Sequence, residues 1–284
     1  MPSPLLLAFT SILLWSARAW LGTLVAHVPP FLLVGVTLLI GSLPGLARAR
    51  EFTRDPRVLA SGIIGLFGYH FCLFMAFRLA PPVEANLVNY LWPVLIVLFS
   101  PLFLKGYGLR WYHLAGGAVA FTGAALVATG GHLAPDLAHL PGMLLALAAA
   151  VIWAAYSVLT KRLPPFSTAA VAQFCLVAGV LSLASHAWLE PRVALAARDW
   201  AILVALGLGP MGVAFYTWDA ALKRGDPRLI GALSYLDPLL STLVLVVLGG
   251  KQLGLVSAVA MVLIVAGAVL GSLELFQAVM RARA

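Results

Sequence analysis

Apolar runs of about twenty residues recur along the whole of this chain, and they constrain its fold more than any other feature. Such a run is as long as a helix must be to cross the hydrocarbon core of a bilayer. The sequence therefore predicts an all-α integral membrane protein with ten transmembrane helices and short connections. The predicted spans are 4–25, 30–47, 57–79, 82–104, 110–130, 140–160, 166–189, 199–222, 228–248 and 252–275.

The composition supports lipid as the solvent for most of the surface. Only 10% of the 284 residues are charged and 62% are hydrophobic, with a mean hydropathy of +1.02. A soluble domain carries about 25% charged residues, so a water-facing surface cannot be built from this chain. A membrane β-barrel would need short segments that alternate between polar and apolar residues. The runs here are continuous, and helices are therefore predicted.

The distribution of basic residues predicts the orientation. Most of the 18 Lys and Arg fall in connections that the ten-span assignment places on one face. Basic loops face the cytoplasm, so both termini are predicted to be cytoplasmic. This distribution explains the net charge of +8 without a nucleic-acid partner. The expected partner of the protein is the lipid bilayer. The opposite face receives only Arg78, Arg192, Arg198 and Lys251.

Short sequence matches indicate that the chain is duplicated. "NYLWP" at 89–93 is followed 145 positions later by "SYLDP" at 234–238, and the same spacing relates Arg78 to Lys223. Trp15 in "ILLWSA" also matches Trp153 in "AVIWAA". Two halves, 1–135 and 136–284, would then hold five helices each. Because five is odd, the halves have inverted topology, which in transporters places a binding cavity at their interface near the bilayer midplane.

Prolines inside the predicted helices are candidate hinges. Pro93 and Pro238 close the two matched motifs, and Pro210 lies within "GLGPMG". Proline removes a backbone donor and loosens the helix around it. The alternative is that these prolines only kink helices for packing, which is common in membrane proteins.

The organisation resembles the EamA family of the drug/metabolite transporter superfamily over nearly the whole chain. The resemblance rests on the repeat, the matched tryptophans and the matched prolines, while "WSARAW" in the first span departs from the family pattern. "NYLWP" is similar to the corresponding stretch of the family's aromatic amino-acid exporters. That similarity implies a bacterial inner-membrane exporter of aromatic and some other hydrophobic amino acids. It also implies a basket of ten helices around a central cavity.

Arg18, Asp237 and His70 are ionisable residues that lie away from the ends of predicted spans. Arg18 is costly in lipid and should face a cavity or an acidic partner, with a structural ion pair or snorkelling as the alternative. Asp237 lies at a similar depth and is its best candidate partner, or a site for a substrate ammonium or a proton. His70 could carry a proton, or could be a hydrogen-bonded packing residue. Asp219 and Glu84 lie nearer span ends and are expected at the interface.

Aromatic and amide residues that lie near the middle of spans, or share a helix face with such a residue, are candidate substrate-binding residues. They can stack on an apolar side chain and hydrogen-bond its polar end. Anchoring at the lipid interface is the alternative, and it suits aromatic residues near span ends better. The candidates of this kind are Trp15, Tyr69, Asn86, Tyr90, Trp92, Trp153, Tyr156 and Tyr235.

The function predicted is alternating-access export of an amino acid, with no cofactor and no metal. Another small solute, such as a drug or a sugar conjugate, remains an alternative. A membrane-embedded enzyme is a further alternative, but His70 has no evident serine partner. The oligomeric state is left open by the sequence, and a monomer is compatible with it.

Overall fold

The computed structural model describes residues 2–129, 139–250, 254–271 and 273, and these residues form helices and connections without any strand. Ten helical segments follow one another in this part of the chain, two of them in two pieces. They are α1 (Pro4–Leu24), α2 (Pro30–Leu46), α3 (Pro56–Leu79), α4 (Pro82–Asn89 and Trp92–Phe103), α5 (Trp111–Thr129), α6 (Leu140–Arg162), α7 (Ala170–Leu189), α8 (Ala197–Arg224), α9 (Pro227–Leu233 and Leu236–Val247) and α10 (Leu255–Gly271).

Six of the described helices, α1, α3, α6, α7, α8 and α9, are long and apolar enough to cross a membrane. Shorter apolar helices are Pro30–Leu46, Trp92–Phe103 and Ala258–Gly271. The predicted all-helical membrane protein is thereby confirmed, whereas ten crossings and their inversion stay a prediction. The predicted boundary between the halves, at 135/136, lies outside the described residues. So does the carboxyl terminus.

Several helices begin where the sequence supplies a capping side chain followed by proline. Asp55 accepts a hydrogen bond from the backbone N–H of Arg57 at 2.8 Å, directly before Pro56 opens α3. The Arg57 side chain also donates to Asp55, and these bonds hold the pKa of the Asp55 carboxyl at about 2. Asp226 caps α9 in the same way. These caps fix the points at which the chain enters α3 and α9.

The seventh helix begins later than the sequence predicts. The prediction was 166–189, but α7 starts at Ala170, so the connection from α6 runs over 163–169. Within it, the Ser167 hydroxyl accepts a hydrogen bond from the backbone N–H of Ala169. Polar caps of this kind favour an irregular turn over a continued helix.

Local irregularities recur at nearly one spacing in the two parts of the chain. A wide π-helical turn occupies Ile64–Gly68 in α3, and another occupies Gly209–Val213 in α8. The helix is also interrupted at 90–91 in α4 and at 234–235 in α9. Pro210 lies inside the second π turn, and Pro93 and Pro238 follow the two interruptions. The missing proline donors explain the local loss of regular α-helical bonding in α4, α8 and α9, whereas the π turn of α3 contains no proline.

The helix contacts show how the centre of the molecule is built. α1 packs against α8 and the second piece of α9, while α6 packs against α3 and the second piece of α4. α2 pairs with α7, and α5 pairs with α10. The largest buried apolar cluster takes most of its residues from α3, α6, α7 and α8, and α1 and α4 also contribute to it. The candidate site lies directly beside this cluster.

Candidate substrate-binding site

A cavity of about 620 Å³ opens between α1, α2, α3, α4 and α9. Its exposed lining residues, Ala26, Pro30 and Pro82, place its mouth where α1 ends and α2 and α4 begin, next to Gly22, and the cavity reaches Leu245 near the end of α9. A second cavity of about 50 Å³ shares several of its residues and reaches deeper. The two cavities form one depression that is open at one end of the helix bundle.

Most of the sequence-predicted binding residues line this depression. The larger cavity is lined by Trp15, Arg18, His70, Asn86, Tyr90, Asp237 and Pro238, and the smaller one adds Tyr69, Trp92 and Trp153. These residues come from α1, α3, α4, α6 and α9, which are far apart in the sequence. The structure therefore brings together candidate side chains that the sequence places on five separate predicted spans.

One wall of the cavity is polar. Arg18 on α1 and Asp237 on α9 both line it, together with Ser241 and Thr242 on α9. Asp237 is only 5% exposed. Between these two described residues the structure records no ion pair, although the sequence made Asp237 the best candidate partner. The wall therefore carries one positive and one negative group that share the same space.

The facing wall is apolar and was not recognised in the sequence. Leu33 from α2 and Leu73, Phe74 and Phe77 from α3 line it, with Met211 from the π turn of α8. Such residues cannot be distinguished from lipid-facing ones in so hydrophobic a chain. The cavity as a whole is amphipathic, which suits a ligand with a charged end and an apolar end.

Four tryptophans form the floor beneath the cavity. Trp15, Trp92, Trp153 and Trp218 are all in mutual ring contact, with centroid separations from 5.1 Å (Trp15 to Trp218) to 6.4 Å (Trp92 to Trp153). None is more than 5% exposed. Most of the pairs meet edge to face or tilted, which the ring quadrupoles favour. This tryptophan floor separates the open cavity from the opposite end of the bundle.

Two indole hydrogen bonds tie the floor to the surrounding helices. The Trp15 indole N–H donates to the Pro210 carbonyl at 3.1 Å, and the Trp218 indole N–H donates to the Ser157 hydroxyl at 3.1 Å. The first bond joins α1 to the π turn of α8. The second joins α8 to α6. The two bonds therefore hold α8 against α1 and α6, the helices that carry Trp15 and Trp153 of the floor.

His70 lies at the edge of the cavity, directly after the π turn of α3. Its Nδ1 is 2.7 Å from the carbonyl oxygen of Leu66, so Nδ1–H donates and Nε2 is left as an acceptor. Nε2 is buried without a hydrogen-bond partner. Tyr69, its neighbour, accepts a hydrogen bond from the Asn89 amide at 3.4 Å. His70 is thus held in place by the helix while keeping one free acceptor.

Two predicted residues do not line these cavities. Tyr156 packs behind the floor against Trp153, at a ring separation of 5.5 Å. Tyr235 is 1% exposed and lies in a separate apolar cluster with Leu239 and Ile264. The expectation that both tyrosines face the cavity is therefore corrected. A residue's depth along a helix can be predicted from sequence, but the direction in which it points depends on helix packing.

Sequence reasoning also missed residues at the closed end. Trp218 was not recognised, because it lies near the end of the predicted span 199–222 and resembles an interfacial residue. Asp219 was expected at the interface, but it is 1% exposed and pairs with Lys223 at 2.7 Å. The connection between α6 and α7 accounts for the burial of the pair, because Thr168 donates to Asp219 and the Phe166 carbonyl accepts from Lys223. The side chain of Glu84 lies outside the described part of the structure.

The described residues contain no group of three His, Cys, Asp or Glu side chains that could hold a metal ion. What remains is a bundle of membrane-length helices with a one-sided amphipathic cavity. Fold and site together define a multi-pass membrane protein with a place for a small amphipathic molecule.

Comparison with known proteins identifies the family. The chain belongs to the EamA-like transporter family, whose sequence profile matches residues 2–129 and again residues 140–273.

Individual relatives agree with this family. The chain is 48% identical to the aromatic amino acid exporter YddG of Ancylobacter novellus, over 95% of this chain and 97% of that protein. It is 29% identical to a protein of the same name from Salmonella typhimurium, over 84% and 85% of the two chains. A probable terminal-alkyne amino-acid exporter of Streptantibioticus cattleyicolor is 32% identical over 72% and 68%. One crystal structure superposes with a TM-score of 0.91 at 45% identity, over 96% of this chain and 97% of the other.

Proposed function

We propose that this protein exports aromatic and other hydrophobic amino acids across the bacterial inner membrane by alternating access. The observation that carries the proposal is the cavity, which has Arg18 and Asp237 on one wall and aromatic side chains on the other wall and floor. An α-amino acid with an apolar side chain has the matching distribution of charges. The names of the relatives, which are exporters of amino acids, support the same substrate class.

The proposed architecture is ten membrane crossings in two inverted repeats, 1–135 and 136–284, with both termini in the cytoplasm. The recurrence of the π turns and of the helix interruptions supports the duplication, as does the match of one family profile to two parts of the chain. The pairing of α1 with α8 and α9 also mirrors the pairing of α6 with α3 and α4. In this orientation the cavity opens to the outside, and the tryptophan floor closes the cytoplasmic side.

The substrate carboxylate is proposed to bind Arg18, and its ammonium group to bind Asp237. The apolar side chain then contacts the tryptophan floor or the wall formed by Phe74 and Phe77, while Asn86 and Tyr90 supply further polar contacts. The pairing neutralises both buried charges at once, which matters because an unpaired charge in a membrane protein is costly. His70 and the remaining polar groups of the cavity complete the binding surface.

Transport requires that the open side close and the closed side open. Pro93, Pro210 and Pro238 lie at the irregular points of α4, α8 and α9, and they are the proposed hinges. A helix with a missing backbone donor bends there at lower cost than a regular helix. Substrate would enter from the cytoplasm and leave through the cavity seen here.

The proposal is tested by flux of labelled phenylalanine in proteoliposomes that contain the purified protein. Arg18→Met and Asp237→Asn should each raise the half-saturating concentration about ten- to hundredfold, because a charge-assisted hydrogen bond contributes roughly 1.5–3 kcal/mol. Arg198→Met is the matched control, since Arg198 is exposed outside the cavity and the chemical change is the same.

Competing compounds identify which end of the substrate each residue binds. Phenethylamine lacks the carboxylate and should compete poorly until Arg18 is replaced. 3-Phenylpropionate lacks the ammonium and should compete poorly until Asp237 is replaced. Absence of protein-dependent phenylalanine flux would refute the proposal. Flux of a drug or a sugar conjugate in its place would assign the cavity to a different small solute.

A further inference from the structure

A buried carboxylate lies at the closed end of the bundle, away from the cavity. Asp219 on α8 is 1% exposed, and its Oδ2 accepts hydrogen bonds from the Lys223 ammonium at 2.7 Å and from the Thr168 hydroxyl at 2.6 Å. Its other oxygen, Oδ1, is buried without a partner. An unpartnered carboxylate oxygen inside a protein is costly, so this atom needs an explanation.

The Lys223 ammonium orients the Asp219 carboxylate and also makes contacts of its own. It donates to the Phe166 carbonyl at 3.0 Å and lies 3.5 Å from the centre of the Phe166 ring. Thr168 belongs to the same connection between α6 and α7. The contacts therefore anchor Oδ2 of Asp219 and leave Oδ1 as the one acceptor that another group can use.

The internal repeat indicates what Oδ1 would face in the opposite conformation. The spacing that relates the two π turns also relates Asp219 to Phe74, and Phe74 lines the open cavity. The spacing between Trp15 and Trp153 relates Thr160 on α6 to Gly22 on α1, and Gly22 lies at the cavity mouth. Thr160 is only 4% exposed here. If the two halves exchange conformations, Asp219 and Thr160 come to line a cavity that opens on the other side.

We propose that Asp219 is a second binding site, specific for the ammonium group of an amino acid, that becomes exposed when the closed side opens. This inference rests on the alternating access proposed above. Oδ1 then receives the ammonium that it lacks in the conformation seen here, while Lys223 and Thr168 keep the carboxylate oriented. No bond needs to be given up to form the new one.

The two sides of the membrane would then differ in chemistry. The outward cavity has Phe74 at this position, so it offers an apolar surface and leaves the charges to Arg18 and Asp237 deeper inside. The cytoplasmic vestibule has a carboxylate instead, which attracts amines before they reach the central site. The substrate class captured there is a primary ammonium with an apolar group, and a carboxylate on it is not required.

The experiment compares two cysteine probes in a chain whose native Cys72 and Cys175 are replaced by alanine. Thr160→Cys reports on the closed side, and Gly22→Cys is its counterpart on the open side, where an added Cβ meets no atom within 4 Å. Each thiol is modified with a membrane-impermeant methanethiosulfonate from its own side of sealed vesicles. The measured quantity is the concentration of added compound that halves the modification rate.

Asp219→Asn, which keeps the shape of the side chain, should raise the half-protecting phenylalanine concentration at Thr160→Cys about tenfold. The value at Gly22→Cys should stay unchanged, and Asp219→Glu should restore protection at Thr160→Cys. With Asp219 intact, phenethylamine should protect Thr160→Cys about as well as phenylalanine does, but should protect Gly22→Cys poorly. This second measurement needs no substitution at Asp219.

Other results would overturn the inference. It fails if Thr160→Cys never reacts, if Asp219→Asn leaves its protection unchanged, or if phenethylamine does not protect it. In those cases the proposed export function stands as long as phenylalanine protects Gly22→Cys and is transported. Loss of both flux and protection at Gly22→Cys would instead refute the proposed function itself.

Discussion

Replacing Trp15 by phenylalanine should raise the population of the conformation in which the closed side of the transporter is open. The substitution keeps an aromatic ring in the tryptophan floor but removes the indole N–H, which donates to the Pro210 carbonyl at 3.1 Å. That bond is buried and joins α1 to the π turn of α8. In the proposed mechanism α8 moves away when the cytoplasmic side opens, so the bond would stabilise only the conformation seen here.

The size of the effect follows from the carbonyl that is left without its donor. A buried polar group that loses its partner costs about 1–3 kcal/mol. If the bond exists in one conformation only, its removal shifts the ratio of the two conformations by roughly five- to hundredfold. The ring contacts of Trp15 with Trp92, Trp153 and Trp218 are largely kept by phenylalanine, so they contribute less to the shift.

The shift can be measured as the rate at which Thr160→Cys reacts with an impermeant thiol reagent without substrate. Since the reaction requires the open side, the rate follows the population of that conformation. Trp153→Phe is the control, because Trp153 is the repeat counterpart of Trp15 and lies in the same floor at a ring separation of 5.7 Å. Equal rates in the two variants, or an unchanged rate in Trp15→Phe, would refute the assigned role of the Pro210 bond.

Two further predictions concern the apolar wall and a helix cap. Phe74→Ala should weaken binding of the substrate phenylalanine about two- to tenfold and leave binding of the substrate alanine unaffected. Only the larger substrate can contact the lost ring, and competition in the flux assay measures the difference. Asp55→Ala should lower the melting temperature in detergent at neutral pH, because Asp55 caps α3 and pairs with Arg57. Since the pKa of Asp55 is depressed to about 2, its contribution is present above the unfolded value of about 3.9 and is lost as the pH falls towards 2. A difference in melting temperature that stays constant down to acid pH would contradict this.

The helices were the most predictable part of the structure. Membrane-length apolar runs have few alternatives, and the observed bounds of α1, α2 and α6 differ from the predicted ones by one or two residues. The error at the start of α7 came from residues 166–169, whose apolar and polar side chains are compatible with either a helix or a turn. A local bond decided the outcome there, because the Ser167 hydroxyl accepts from the backbone N–H of Ala169, and such a bond is visible only once the chain is folded.

The binding residues were predictable only by type and depth. Polar and aromatic residues near the middle of an apolar run are costly in lipid, so most of them had to face the interior. Which interior they face depends on helix rotation. Tyr90 lines the cavity, whereas its counterpart Tyr235 packs in a separate cluster. Trp218 was missed because it lies near the end of the predicted span, where an aromatic residue is equally expected at the lipid interface.

The proposed repeat suggests why one structure can serve export in one direction. At three pairs of related positions, a charged residue in one half corresponds to an uncharged aromatic residue in the other. The pairs are Arg18 and Tyr156, Phe74 and Asp219, and Trp92 and Asp237. Two identical halves would give each side of the membrane the same vestibule. In the proposed orientation the charges that bind an amino acid are divided, so that the cytoplasmic route carries the carboxylate of Asp219 where the outward cavity has the apolar ring of Phe74. A substrate that reaches the outward cavity then has only the central charges to hold it, and release requires breaking those contacts alone.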